Sequence, residues 1–272
     1  MKKIFTFSLL LISTIGFAQT SKKIQLTSGK KINITNVSAT VTDLGMGMQM
    51  NNNTTVTSNM VVTNENDNYY ELNNTITRMQ TNMDGMGQNI SFDSDKKEDL
   101  DSEMGQGLAG TINKAEVLKI NKANGKMEKI KADNDAKEGN PMMGMAGMGN
   151  SESESGPVFV LPSNIKVGES WNTENKEGTM TVKSTYTLKS LDNNTALVNM
   201  SGTVDGTMEQ EQMGNTMNIT INSKVTGDIT FDVNSSLVSK RNMVSDVNGN
   251  IDMMGQQMPI SAKTTSTITY SY

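Results

Sequence analysis

The sequence predicts a mainly β protein: two related antiparallel meander sheets, curved in outline like a half-barrel, with one short helix and a hairpin between them. Three observations carry this. Apolar residues alternate with polar ones over long stretches, as in strands with one buried face. Thr fills many of the polar positions, where β-branching suits a pleated backbone, while Asn and Gly gather between the runs, where turns need them. A Met-Gly motif also recurs at spacings that divide the chain into two halves.

In chain order, residues 1–18 read as a secretory signal peptide. Lys2 and Lys3 begin it, Ile4 to Ile15 form its apolar stretch, and Gly16-Phe17-Ala18 offers small residues for cleavage after Ala18. The stretch of about 14 apolar-rich residues is shorter than the roughly 20 needed to span a bilayer, and no later run comes closer. No Cys follows the cut, which excludes a lipid anchored on an N-terminal cysteine. The expectation is a soluble chain exported to the periplasm or the outer-membrane and extracellular side, with no integral membrane segment after cleavage.

Residues 19–131 are the expected N-terminal meander, with core faces at Val56-Met60-Val62 and Tyr70-Leu72-Ile76. Between residues 96 and 113 the period changes: Leu100, Met104, Leu108 and Ile112 are four apart, one stripe of a helix that Asp93 or Asp95 would cap. Gly105, Gly107 and Gly110 weaken that helix. A hairpin follows over residues 117–130 around Asn124-Gly125. A three-residue loop with a bulge would set Leu118 against Ile130, and a two-residue loop would set Ile120 against Lys129; the first is preferred.

Residues 132–156 lose all periodicity and read as a flexible linker rich in Met, Gly and Ser. The C-terminal meander, 157–272, carries the clearest alternation: Met217, Ile219, Ile221, Val225, Ile229, Phe231 and Val233. At about 3.3 Å per residue this run exceeds 50 Å, and Gly227 is the natural place for a bend. Further faces are Met180-Val182-Tyr186-Leu188, Ala196-Val198-Met200-Val204 and Ile260-Ala262-Ile268-Tyr270.

Met213-Gly-x-x-Met217-x-Ile219 matches Met254-Gly-x-x-Met258-x-Ile260, and looser copies begin at Met46 and Met86. The copies lie 40 and 41 residues apart within each half, and 167 and 168 apart between halves. The spacing suggests a duplicated meander.

Composition removes most chemistries. The chain has 272 residues, 24 basic and 29 acidic, and neither Cys nor His. Disulfides, Cys/His zinc sites, blue-copper centres, catalytic cysteines and Ser–His–Asp relays are impossible. Loss of Lys2 and Lys3 on cleavage moves the net charge from −5 to −7, which disfavours nucleic acid and anionic membranes as partners. Asp133-Asn-Asp135-Ala-Lys137 starts like a calcium loop, but Lys137 occupies a ligand position and the later Glu is missing. Glu152 and Glu154 belong to a solvated linker, and Gly105-Gln-Gly107-Leu-Ala-Gly110 follows no strand-to-helix phosphate pattern. Hydrolysis by carboxylates from distant strands is retained as an alternative function, although aromatics make up only 4% of the chain and sugar platforms are correspondingly few. No enzyme activity and no cofactor are expected.

The 23 methionines admit two functional readings. Thioethers favour Cu(I), and Met142, Met143, Met145 and Met148 are close enough for three sulfurs to meet on one ion; Met46, Met48 and Met50 form a second cluster. Alternatively, a curved sheet with a Met-rich concave face and a helix across its mouth would suit an apolar ligand such as an acyl chain. That arrangement resembles, in outline, secreted half-barrel lipoprotein carriers. The plain alternative is that the same side chains fill an ordinary core.

One segment carries a second resemblance. Leu161-Pro-Ser-Asn-Ile-Lys-Val-Gly-Glu-Ser-Trp171 opens a half containing Thr185-Tyr-Thr-Leu-Lys-Ser190 and Gly227-Asp-Ile-Thr-Phe-Asp232, with Tyr70-Glu-Leu and Ile90-Ser-Phe-Asp-Ser94 upstream. Together these resemble an uncharacterised family of exported Bacteroidota proteins with a β-rich domain of unknown function, which supplies no activity and no functional residues. From the residues themselves, Pro162 ends a strand, Gly168 turns the chain, and Trp171 is a core anchor. The function expected is a non-enzymatic envelope module that binds a protein partner or an apolar small molecule or lipid.

Overall fold

A computed structural model describes residues 24–45, 47–85, 87–130, 156–212, 215–253 and 256–272. The signal segment 1–18, the linker 132–156 apart from Gly156, and the Met142, Met143, Met145 and Met148 quartet lie outside the described residues. The strands are β1 (Lys31–Asp43), β2 (Gln49–Glu65), β3 (Tyr69–Gly85), β4 (Gln88–Asp93), β5 (Ala115–Asn121), β6 (Met127–Lys129), β7 (Ser170–Glu177), β8 (Met180–Asp192), β9 (Thr195–Gln212), β10 (Asn215–Asp232), β11 (Val238–Met253) and β12 (Gln256–Ser271). Two short helices, α1 (Lys97–Leu100) and α2 (Glu103–Leu108), separate β4 from β5. No helix among the described residues is long and apolar enough to cross a membrane.

The protein is mainly β, and both expected meanders form. They join edge to edge into one open antiparallel sheet in the order β6-β5-β3-β2-β1-β12-β11-β10-β9-β8-β7. The seam is β1 against β12, in register from Asn33 opposite Ser271 to Asp43 opposite Ser261. β3 serves two partners on one edge: β5 along Tyr69 to Thr75, and β4 along Gln80 to Gly85.

Register and burial give the sheet an inner and an outer face. The predicted alternating residues of β2, β3, β8, β9, β10 and β12 all share the inner one, so the period-2 reading assigned their faces as found. Three local expectations are corrected. β10 runs unbroken past Gly227, and its register shifts instead between Thr230 and Phe231. The helix is two helices: Ser102 interrupts it and caps the second, its hydroxyl accepting from the Gly105 N–H at 3.2 Å, while Lys96 rather than Asp93 or Asp95 begins the first. A methyl on Gly105 would lie 2.3 Å from the Leu100 carbonyl oxygen, so glycine allows this tight junction.

The hairpin, third, adopts neither expected register. Leu118 faces Lys129 and Ile120 faces Met127. The loop is longer because two side chains complete it: Asn121 Oδ1 accepts from the Ala123 N–H, Asn124 Oδ1 accepts from the Lys126 N–H, and Gly125 takes a φ of 73°.

The sheet is strongly curled at one end. Ten strand spacings of about 4.8 Å would put β6 and β7 roughly 48 Å apart in a flat sheet. Yet residues 156–165 reach from one edge to the other. A Cβ on Gly156 would lie 3.6 Å from the Met127 Cβ of β6, and three residues later the Phe159 ring is 6.2 Å from Trp171 of β7. Three residues of extended chain cover only about 10 Å. The edges therefore approach at this closed end, around one buried cluster drawn from β1, β2, β3, β5, β6 and β8 to β12. Trp171 stacks on Tyr186 at 5.4 Å and 22°, and packs on that cluster as an anchor.

Candidate functional site on the inner face of the sheet

Three zones follow one another along the inner face. At the closed end lies the dry core, with Phe231, Ile32, Leu72, Ile120 and Leu188 nearly inaccessible. Residues 156–161 and the Ile24–Leu26 segment cover it. Val238 N–H donates to the Pro157 carbonyl and Phe159 N–H to the Ser236 carbonyl, each at 2.9 Å. Arg241, 3% exposed, points from β11 into this zone and donates through Nη2 to the carbonyls of Gly156 (3.0 Å) and Val158 (3.4 Å). No carboxylate among the described residues pairs with it; carbonyl oxygens and the Phe159 ring 5.9 Å away supply its negative surroundings. Burial pushes the Tyr270 and Tyr272 hydroxyls up in pKa, so both remain neutral beside this cation, and Tyr272 Oη lies 2.6 Å from the Pro157 carbonyl oxygen.

The second zone is a belt of buried polar side chains across the middle of the sheet. Asn52 Oδ1 accepts from Thr81 (2.7 Å) and Thr54 (3.1 Å), whose hydroxyls are themselves 2.9 Å apart. Thr40 and Thr264 meet at 2.9 Å across the seam, Ser266 donates to Asn36 at 2.9 Å, and Ser223 and Ser245 meet at 3.0 Å. Mutual pairing makes this burial tolerable, since an unpaired buried hydroxyl costs about 1–3 kcal/mol. Sequence reading passes over the belt because its residues break the apolar alternation. In β1 the pattern is inverted, with Val37 and Val41 on the outer face, 50% and 41% exposed, and Ser38, Thr40 and Thr42 inside.

The third zone is the open end. From the level of Ser223 outward the inner face carries apolar side chains along five adjacent strands: Val182 of β8, Val204 of β9, Ile221 of β10, Val247 and Ile251 of β11, and Ile260 of β12, with Ser223, Gly206 and Gly249 between them. The apolar ones are all half-buried, and the opposite face carries exposed Lys183, Asn222, Asn248 and Lys263. No described element lies over this patch. The helices cover a different region: the predicted stripe of Leu100, Met104, Leu108 and Ile112 does converge, on Val56, Ile76, Met79 and Phe92 of β2 to β4. Four spacings across and four residues along make the bare patch roughly 19 Å by 14 Å.

Of the predicted site residues, Met142, Met143, Met145, Met148 and Met46 are outside the described set. Met48 is exposed and Met50 is half-buried on the inner face. Methionines elsewhere follow the inner face: Met60, Met79, Met127, Met200 and Met243 are buried, and Met83, Met180 and Met258 half-buried. The four Met-Gly motifs fall at the β1–β2, β3–β4, β9–β10 and β11–β12 junctions, all at the open end. Gly47 and Gly87 are described there, with φ of 76° and 74°, so two of those turns depend on glycine's left-handed freedom. Among the described residues no group of three or more acidic side chains gathers to hold a metal.

The fold has a relative among solved structures. The sheet is similar to a structure titled "Lipid-protein interactions in lipovitellin", with a TM-score of 0.51 at 10% identity over 91% of this chain. This chain spans 26% of that one, and the likeness concerns the fold alone. An outer-membrane channel from Pseudomonas putida F1 aligns over 91% of this chain and 97% of its own, at 8% identity, but its TM-score of 0.29 carries no argument. No curated protein matches the sequence. A family model described as "Family of unknown function (DUF6263)" matches residues 156–238, so the chain carries that domain from the covering segment through the end of the β10–β11 turn.

Proposed function

We propose that this is an exported, non-enzymatic module that holds a two-chain lipid against the open end of its inner face. The observation that carries the reading is the apolar patch from Val182 to Ile260, which no described segment covers, on a face whose closed end and helix-covered region are buried. At roughly 270 Å² it is close to the largest apolar patch of an ordinary monomer, and such patches are often functional. The sheet's likeness to lipovitellin, whose title concerns lipid–protein interactions, supports an apolar occupant. Export rests on the N-terminal signal pattern and on the resemblance to exported Bacteroidota proteins.

Two chains follow from magnitude. A fully buried methylene contributes about 0.8 kcal/mol, so a 14-methylene tail half-covered on an open face gains roughly 6 kcal/mol. That is short of the approximately 8 kcal/mol of micromolar affinity, before association costs. Two tails reach it, and a patch roughly 19 Å wide seats them side by side. Among the described residues the lining is aliphatic and thioether apart from the buried Ser223 hydroxyl, with no titratable group to attack an ester, in keeping with carriage and not turnover.

The test is a displacement assay in which phosphatidylethanolamine and palmitate compete with a fluorescent fatty acid for the full chain. The diacyl lipid should displace the probe at least tenfold more effectively than palmitate. Val204→Asp with Ile221→Asp should abolish displacement while leaving the circular dichroism unchanged. Binding that survives both aspartates would overturn the assignment.

A further inference from the structure

We propose that the outer face carries a second, independent site: a groove that takes a neutral polysaccharide strand. A cavity of about 790 Å³ crosses seven consecutive strands, from β3 to β9. Its lining resolves into two neighbouring rows of outer-face positions and the chain between them. One row runs from Asn199 through Asp228, Asn242 and Thr267 to Gln80, and the other from Thr226 through Thr265 and Asn53 to Asn82. The groove thus runs perpendicular to the strands.

The chemistry of the rows selects the ligand class. Five planar amides line it, and each offers a donor and an acceptor in one plane, the pattern that matches neighbouring hydroxyls on a sugar ring. Several are unengaged. Asn242 Oδ1 accepts from the Thr267 hydroxyl at 3.1 Å, which leaves its amide nitrogen without a partner among the described residues. The side chains of Asn53 and Asn82, opposite each other, hydrogen-bond to no described residue. No Lys or Arg lines the cavity, which argues against phosphate or carboxylate polymers, and the Asp228 carboxylate is already met by the Asn199 amide. Val37, Ala39 and Val244 give the middle of the groove an apolar strip for the C–H face of a sugar. Strands about 4.8 Å apart set these contacts at nearly the residue repeat of an extended β-linked glycan, over a span of roughly 29 Å.

The experiment is isothermal titration of the full chain with cellohexaose, xylohexaose, laminarihexaose and mannohexaose. At least one should bind, and Asn53→Ala/Asn82→Ala/Asn242→Ala should weaken it at least tenfold. Thr265→Lys, which places bulk in the groove from an exposed position, should do the same by a different route and covers the case that the triple variant unfolds. Both variants should keep acyl-probe binding within twofold of wild type, separating this site from the inner face. Failure of all four hexaoses to bind, or binding that Thr265→Lys leaves unchanged, would remove the proposal and leave the lipid site untouched.

Discussion

Gly227 lies against the backbone of the neighbouring strand, and replacing it should be costly. It sits on the inner face of β10 opposite Met243 of β11. A methyl at this position would lie 2.3 Å from the Asn242 carbonyl oxygen and 3.3 Å from Met243 Cγ. Carbon–oxygen contacts settle near 3.3 Å, so the overlap is about 1 Å against backbone, which cannot rotate away. Overpacking of this kind costs about 1–3 kcal/mol, and alanine recovers about 0.4–1 kcal/mol by restricting the unfolded chain. The net expectation for Gly227→Ala is a loss of about 1–2 kcal/mol. Gly249 on β11 repeats the geometry, 2.2 Å from the Thr220 carbonyl oxygen. The two sites are roughly 20 Å apart along the same strand pair, so their losses should add. Urea unfolding followed by circular dichroism measures this, with Gly110→Ala as control, because a methyl there meets nothing within 4 Å. If Gly227→Ala stays within about 0.5 kcal/mol of wild type, the usual spread of harmless substitutions, close approach is not what holds the strands.

Two further outcomes follow from the belt and from the outer ion pair. Thr54→Val or Thr81→Val alone leaves Asn52 Oδ1 one donor, whereas the double variant leaves none; the double should therefore lose more than the summed singles, by about 1 kcal/mol in a double-mutant cycle. Asp93 is held below the ordinary carboxylate range, first by its hydrogen bond from Arg78 and then by the backbone of Asp95. A depressed folded pKa contributes stability that is present above the unfolded carboxylate value and lost as pH falls through the folded one. The gap in urea midpoint between wild type and Asp93→Asn should accordingly be constant above about pH 5 and close in strong acid.

Much of the fold was legible because alternation is local. Tyr70-Leu72, Ala196-Val198-Met200 and Ile229-Phe231-Val233 announce both strand and face without reference to any partner. What failed was information held by the partner strand. β1 escaped notice because its inward Ser38, Thr40 and Thr42 are polar; Thr40 meets the Thr264 hydroxyl across the seam, and Ser38 stands opposite Ser266 and Thr54. The seam itself joins residues more than 200 positions apart, beyond any windowed pattern. The β5–β6 register failed for a different reason: Asn121 and Asn124 act as turn-closing acceptors, and sequence alone does not say which of several asparagines will do so. The inner-face site was half legible. Methionine-rich alternation pointed to an apolar lining, but only the register shows that the lining divides into a covered core, a hydroxyl belt and a bare end.

That division has a mechanical cause. An open sheet of eleven strands in line would expose two long edges and both broad faces, an arrangement that invites edge-to-edge pairing. Here β6 is only three residues long and β7 carries Glu174 and Lys176. Residues 156–165 bring these edges together, held by Arg241 to Gly156 and Val158 and by Phe159 among Trp171, Tyr186 and Phe231. The tie acts at one end only, because the other end is made of hairpin turns with nothing spanning them among the described residues. Curl at the tied end buries its apolar residues outright, whereas the same alternation at the other end is covered by no described segment. Among the described residues the patch is thus left open where the long-stranded sheet is not fastened.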